Sequence, residues 1–451
     1  MDYIIYFAIT IGILVFIHEF GHFAAAKLSG MRADVFAIGF GKRLFGWNRK
    51  NGFSFGELPK DFDGEGHTDY RLSLLPLGGY VKIAGMVDES MDTSFAEKEP
   101  MPYEFRAKPV WAKIFVITAG VFMNLMLAWV IFWGANFFQE RTVINTTTIG
   151  DVPANSLADS LGFKTNDKIL SINNKTVKDW RELETELYIN SLGENRRILV
   201  ERNNQTVALE IPNSRVPEQA ERYLIEPNGI TRPTVDSLVA GESAIKAGLQ
   251  KGDILIGLND VPIYSRIQAT EILKLNKAKN VEATLLRNGD SINISITPNK
   301  DGIIGVFFSS KFNGSTVSKS YGFFESIGQG WKDIEKMTSL TFSMVGKVFA
   351  GNVEVGKAFG GPIKIAQIAA KSADSGFSNF MYFLAVLSLS LAILNIMPFP
   401  VLDGGHLVMI VVEAVIRREI PIKVKMAIQN TGLAILLLLM AFIIYNDIIS
   451  L

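Results

Sequence analysis

The sequence predicts a multi-pass α-helical membrane protein. It should have four transmembrane helices, a β-hairpin in the loop after the first helix, and two α+β modules inserted between the second and third. Three observations carry this expectation. Mean hydropathy is positive, at +0.22, in a chain of 451 residues that is 48% hydrophobic, too much for its soluble parts alone. Four stretches are apolar over about the 20 residues that a spanning helix needs. One block of sequence recurs, without gaps, inside the long polar region between the second and third stretches.

Composition also excludes classes of function. The 45 basic and 45 acidic residues cancel, so there is no net field to favour nucleic acid. The chain has no cysteine, which removes disulfides, zinc–thiolate sites and a cysteine nucleophile together. The imidazole ligands available are His18, His22, His67 and His406.

The first span, 1–26, lacks the basic flank and cleavage site of a signal peptide and is expected to be retained. It contains Ile17-His18-Glu19-Phe20-Gly21-His22. Histidines four residues apart share one helix face and can point nitrogens at one metal ion, while Glu19 can serve as the base for an attacking water. This is the His-Glu-x-x-His arrangement of zinc metallohydrolases. Ionisable groups in an apolar helix are costly and point to function.

The loop 27–108 carries a basic cluster and the stretch Arg71–Gly85, where Gly78-Gly79 between two apolar runs predicts a hairpin. Pro76 makes one of its strands an edge. That edge could pair with an extended substrate backbone, or the hairpin could be an ordinary loop. Residues 86–104 are acidic and read as a linker. The second span is 109–139.

The recurring blocks start at Leu161 and Ala247, each followed by a helical pattern and a hairpin turning at Asn203-Asn204 or Asn288-Gly289. They predict modules at 141–225 and 226–310. Both resemble PDZ domains, which bind peptide ends by strand addition, or they act as spacers that occlude the membrane face. Residues 320–375 predict amphipathic helices, placed on the outer leaflet or under the modules.

The third span, 379–398, is broken by Pro398 and Pro400, and broken helices at membrane depth line polar cavities. A helix over 403–420 and a fourth span over 425–449 follow. Catalytic zinc usually takes three protein ligands. Asp403, at the helix break, is the leading third ligand, and His406 one turn on competes. Asn124 and Asn395 are polar groups in apolar spans. They are interhelical glue, or they bond the substrate backbone or a developing oxyanion. Basic clusters flank the spans after the first, before the second and between the third and fourth. They predict a cytoplasmic side there, with both termini and the modules outside and the metal near the cytoplasmic face.

These residues are similar to those of the site-2 protease family, and to its bacterial members with paired PDZ modules. The resemblance rests on His18 to His22, on Ile38-Gly39-Phe40-Gly41-Lys42, on Pro76 to Lys82, on Asn395 to Gly405 and on the paired modules, and it covers nearly the whole chain. It implies an intramembrane zinc protease in a bacterial inner membrane. Such an enzyme cuts single-pass membrane proteins that a first protease has trimmed, such as an anti-sigma factor, or remnant signal peptides. His18, His22 and Asp403 would hold Zn2+, and Glu19 would be the base. Asn124, Asn395, Pro398, Pro400, Gly78, Gly79 and Tyr80 would meet the substrate. The hairpin would be a membrane-reentrant β-loop and the PDZ pair a size filter. The family shows Gly-Pro-x-x-Asn in the second span, where this chain has Gly120-Val121-Phe122-Met123-Asn124. Competing readings are a membrane-anchored PDZ scaffold with a structural metal and, less favoured, a zinc transporter.

Overall fold

The computed structural model describes residues 2–59, 64–86, 99–154, 156–215, 224–239, 241–351 and 360–449. They form two compact units, one of residues 1–139 with 320–451 and one of residues 140–319. In the first unit, helix α1 (Asp2–Leu28) ends where Gly30 takes a positive φ of 66°. Strands β1 (Ala33–Asn48), β2 (Gly52–Phe55) and β3 (Asp69–Ile83) make one sheet in the order β2-β1-β3.

The hairpin expected at 71–85 takes a different form. Its two arms do not pair with each other. Val35–Ile38 of β1 lies between them, with Phe36 opposite Val81 on one side and opposite Tyr70 on the other. The far end of the sheet is clipped by Arg43, whose buried guanidinium donates to both Asp69 carboxylate oxygens at 3.1 Å and to the Gly56 carbonyl at 2.7 Å. The Pro76 side chain and most of the acidic linker, 87–98, lie outside the described residues. Helix α2 (Val110–Phe138) starts after Pro109 and runs unbroken through Val121, so the residue that replaces the family proline leaves the helix continuous.

The second unit opens with β4 (Arg141–Ile144), which pairs with β15 (Thr316–Lys319) and not with the first module, so the two ends of the unit form a two-stranded stem. The first module holds α3 (Leu157–Ser160), β5 (Lys168–Ile172), β6 (Lys175–Thr176), α4 (Trp180–Glu184), β7 (Arg196–Arg202) and β8 (Gln205–Ile211), with sheet order β6-β5-β7-β8. The second holds β9 (Thr234–Leu238), α5 (Ser243–Lys246), β10 (Ile254–Leu258), β11 (Val261–Pro262), α6 (Arg266–Leu275), β12 (Val281–Arg287), β13 (Asp290–Ile296) and β14 (Val306–Ser309), in the order β13-β12-β10-β9-β14. Each module has its own apolar core, one centred on Phe163 and Trp180 and one on Leu255 and Leu285.

The sequence repeat reappears as a repeated side-chain clamp. Arg202 donates to Asp167 at 2.7 Å and to the Gly162 carbonyl at 2.7 Å, and Arg287 donates to Asp253 at 2.7 Å and to the Gly248 carbonyl at 2.8 Å. Asn166 stands where the second copy has Gly252, and both take positive φ, 67° and 95°; Asn tolerates the left-handed region better than most residues.

The chain then returns to the first unit with α7 (Phe323–Phe349), α8 (Pro362–Asp374), α9 (Phe377–Ile396), α10 (Asp403–Ile416) and α11 (Ile422–Ile449). Helix α7 lays one side on α2 and α9: Ile334 and Met337 join Ala128, Phe132, Leu389 and Ile393 in one cluster. Asn136 of α2 donates to Asp333 at 2.7 Å. Neither of the two placements expected for this segment anticipates that packing, because one apolar stripe looks the same whether a bilayer or a neighbouring helix covers it. Helices α1, α2, α9 and α11 are long and apolar enough to cross a membrane.

Candidate metal centre

Helix α1 presents His18 and His22 on one face, one turn apart, with their Nε2 atoms 3.2 Å from each other. Asp403, the first residue of α10, meets both. Its Oδ2 is 3.2 Å from His18 Nε2 and 3.4 Å from His22 Nε2. Zinc bonds of about 2.0–2.1 Å in a tetrahedron place neighbouring ligand atoms roughly 3.3–3.4 Å apart, so these three atoms fit three corners of such a site. Oδ2 is also buried without an aligned hydrogen-bond donor, the state of a carboxylate oxygen that suits a cation. Among the described residues, no fourth His, Asp or Glu joins the group. That leaves a corner open, as catalytic zinc sites do.

Each donor is aimed by its surroundings. The His22 Nδ1–H donates to the Val116 carbonyl at 2.8 Å, which leaves Nε2 with its lone pair towards His18 and Asp403. Gly120, one turn on along α2, faces both rings; a Cβ there would come within 2.8 Å of His18 Cε1 and closer still to His22. One turn further, Asn124 is fully buried with its Nδ2 3.3 Å from His18 Nδ1.

Asp403 is delivered by the break between α9 and α10. Pro398 and Pro400 lie in that break, and Val401 takes a φ of 79°, rare for a β-branched residue, as the chain turns back. Gly404 then seats α10 against the Ile396 and Met397 carbonyls, where any side chain would overlap them. Pro400 packs on Gly432 of α11.

Glu19 is 7% exposed and lines one small cavity with His22, Val81, Val401, Asp403 and His406. Val81 of β3 lines the same cavity, so β3 walls this side chain on one side. His406 shares the cavity but its Nε2 lies 3.1 Å from Gln429 Nε2, and it stands outside the three-donor group. Asn395 is on the Nε2 side of His18, with Nδ2 3.4 Å from Nε2. Gly79 lies against α1, where a Cβ would stand 2.8 Å from Val15 Cγ1 and 3.3 Å from Glu19 Cγ. Gly78, at φ 133°, faces the Phe40 ring, and the Tyr80 hydroxyl is bonded to Arg71. His67 lies apart from the site, in the turn before β3.

Sequence reasoning missed two contributors to this centre. The Val116 carbonyl is backbone and leaves no trace in residue identity. Gly120 left a signal, since it is four residues before Asn124 and so on the same helix face.

The profile of peptidase family M50, the site-2 proteases, matches residues 6–439, which takes in the His-Glu-x-x-His helix, the Asp403 element and both modules. The chain belongs to peptidase family M50. This M50 member is similar along its length to the regulator of sigma E protease of Haemophilus influenzae, at 30% identity over 99% of this chain and 98% of the relative. It is 30% identical to a Vibrio cholerae protein whose name describes a zinc metalloprotease, over 98% and 97% of the two chains. Regulator of sigma-E protease RseP of Escherichia coli is 27% identical, again over 98% and 97%. The M50 member is a metalloprotease of the site-2 type.

Proposed function

We propose that this protein cuts single-pass membrane proteins inside the inner membrane of a bacterium, using Zn2+ held by His18, His22 and Asp403. The observation that carries this reading is the convergence of three donor atoms within 3.4 Å beside the buried Glu19, on a helix apolar enough to span a bilayer. The relatives named for sigma-E control support a role in an envelope stress response, with a trimmed anti-sigma factor as the substrate and a separate site-1 protease acting first. Remnant signal peptides fit the same site.

A peptide bond in a spanning helix is shielded by its own hydrogen bonds and must be freed before it can be cut. The 79–83 arm of β3 pairs with β1 on one side, and the register of the described residues gives it no strand on the other. This open edge, at the Glu19 cavity, can accept the unwound substrate backbone. Gly79 lets it lie close to α1, with Gly78 and Tyr80 on either side of that contact, and Pro398 and Pro400 hold open the break beside it. Asn395, next to His18 Nε2, is placed to donate to the substrate carbonyl as negative charge develops. Zn2+, when bound, supplies Lewis acidity and lowers the pKa of water towards about 7. Glu19 takes the proton of the attacking water and gives it to the leaving amine. The basic flanks put this chemistry near the cytoplasmic face and the modules outside. There the modules, as a PDZ pair, exclude substrates whose outer part is still bulky.

Glu19→Gln is expected to bind zinc in wild-type amount and to retain substrate while losing cleavage. A mixture of purified protein and a tagged, pre-trimmed single-span substrate, followed by product on a gel and by metal analysis, measures both. Cleavage at wild-type rate by Glu19→Gln would remove Glu19 from the chemistry.

A further inference from the structure

Helix α2 runs alongside the His18–His22 face with a matching stripe of its own, Val116, Gly120 and Asn124, at helical spacing. Val116 holds the outer nitrogen of His22, Gly120 makes room for both rings, and Asn124 stands at the outer nitrogen of His18. The two ligands are thus served by equivalent positions on one neighbouring helix. For His22 the partner is a backbone carbonyl, which accepts the Nδ1 proton. For His18 it is an amide, which has an accepting end and a donating end.

The two ends of the amide decide what His18 can do. Asn124 Oδ1 is buried with no hydrogen-bond partner, while Nδ2 is 3.3 Å from the ring. A carboxamide has the same shape either way round, so the bonds available decide which end faces the ring. Turned with Oδ1 to the ring, Asn124 accepts Nδ1–H, the proton that a His18 offering its Nε2 lone pair to a metal must carry. That fixes the tautomer in which Nε2 keeps its lone pair, as the Val116 carbonyl does for His22. The rest of the residue is fixed already: the Ser388 hydroxyl of α9 donates to the Asn124 carbonyl at 2.8 Å and ties α2 to α9 at this level.

We propose that Asn124 is the positioning residue of His18, acting through Nδ1 to hold the imidazole as a metal ligand, and that it does not meet the substrate. Its position supports this: Asn124 is fully buried and lies on the Nδ1 side of His18, whereas Asn395 lies on the Nε2 side, where a substrate carbonyl would come. The two asparagines that the sequence grouped together are divided by one imidazole ring. Partners of this kind on ligating histidines typically change metal affinity by about 10–100-fold when removed.

The inference rests on the zinc reading of the site, and the test separates the two. Full-length protein in detergent is stripped of metal and titrated with zinc against a competing chelator. A second sample is titrated with Co2+ and its visible spectrum recorded. Asn124→Ala and Asn124→Leu remove the acceptor, Asn124→Asp keeps one, and Ser388→Ala disturbs the same helix contact without touching His18. The expected result is zinc affinity weaker by about 10–100-fold in the Ala and Leu variants with an altered Co2+ spectrum, near wild-type affinity in Asn124→Asp, and no change in Ser388→Ala. Thermal unfolding of the metal-free proteins checks that the variants fold, and if both apolar variants fail, Asn124→Asp against Asn124→Ser makes the comparison. Wild-type zinc affinity and spectrum without the acceptor, with cleavage lost, would overturn the inference and return Asn124 to the substrate. Failure of the wild type itself to bind zinc would instead sink the function proposed above and the inference with it.

Discussion

Gly120 leaves the two imidazoles of the centre little freedom. A methyl group there would press on both imidazoles, and overpacking of this kind costs about 1–3 kcal/mol. Gly120→Ala is therefore expected to push α2 away from α1, to weaken zinc binding sharply and to lower thermal stability. Metal stoichiometry and the unfolding midpoint of the purified protein measure this, and an Ala variant with full zinc occupancy would show that α2 does not constrain the rings. The convergence of His18, His22 and Asp403 was legible in the sequence, the histidines by their spacing and Asp403 by its place after two prolines in an apolar span. Gly120 and the Val116 carbonyl were not, because a packing demand and a backbone acceptor have no chemical label until the neighbouring helix is in place.

Elements repeat the same lesson in their pairing. Local pattern placed both module hairpins correctly, at Asn203-Asn204 and Asn288-Gly289, because a tight turn is a short-range property. It misjudged 71–85, where the strand that separates the two arms comes from more than thirty residues earlier in the chain, and no window of sequence contains that partner. The clamp in each module yields a pH prediction. Hydrogen bonds from Arg287 hold the Asp253 carboxyl below its ordinary value. A depressed carboxyl contributes stability that is present above the unfolded pKa, about 3.9, and is lost as pH falls through the folded value. The protection factors of the β10 and β12 amides in the full-length protein, corrected for the intrinsic pH dependence of exchange, are expected to fall on acidification below about pH 4. In Asp253→Asn the same amides should be less protected at neutral pH and should lose that acid dependence. Equal acid sensitivity in the variant would place the titrating group elsewhere.

For the molecule as a whole, the β4–β15 stem brings the two ends of the second unit together, so residues 146–314 form an insertion that can be removed at one place. If the modules filter substrates by size, a protein lacking 146–314 is expected to cut an untrimmed single-span substrate that the full chain spares, while both cut the trimmed form. Identical selectivity with and without the insertion would leave the modules another role. The number of spans and the existence of two modules were legible because bilayer thickness and internal repetition act over long stretches. The packing of α7 on α2 and α9 was not. The central claim concerns the ion. X-ray absorption at the zinc edge of the purified full-length protein reads its ligands directly. The expected shell is nitrogen and oxygen at about 2.0–2.1 Å with two imidazoles, one of them lost in His22→Ala and an oxygen lost in Asp403→Ala. A third imidazole, or a spectrum indifferent to Asp403→Ala, would mean that the metal is closed in by His406 or lies elsewhere, and would contradict the proposed mechanism.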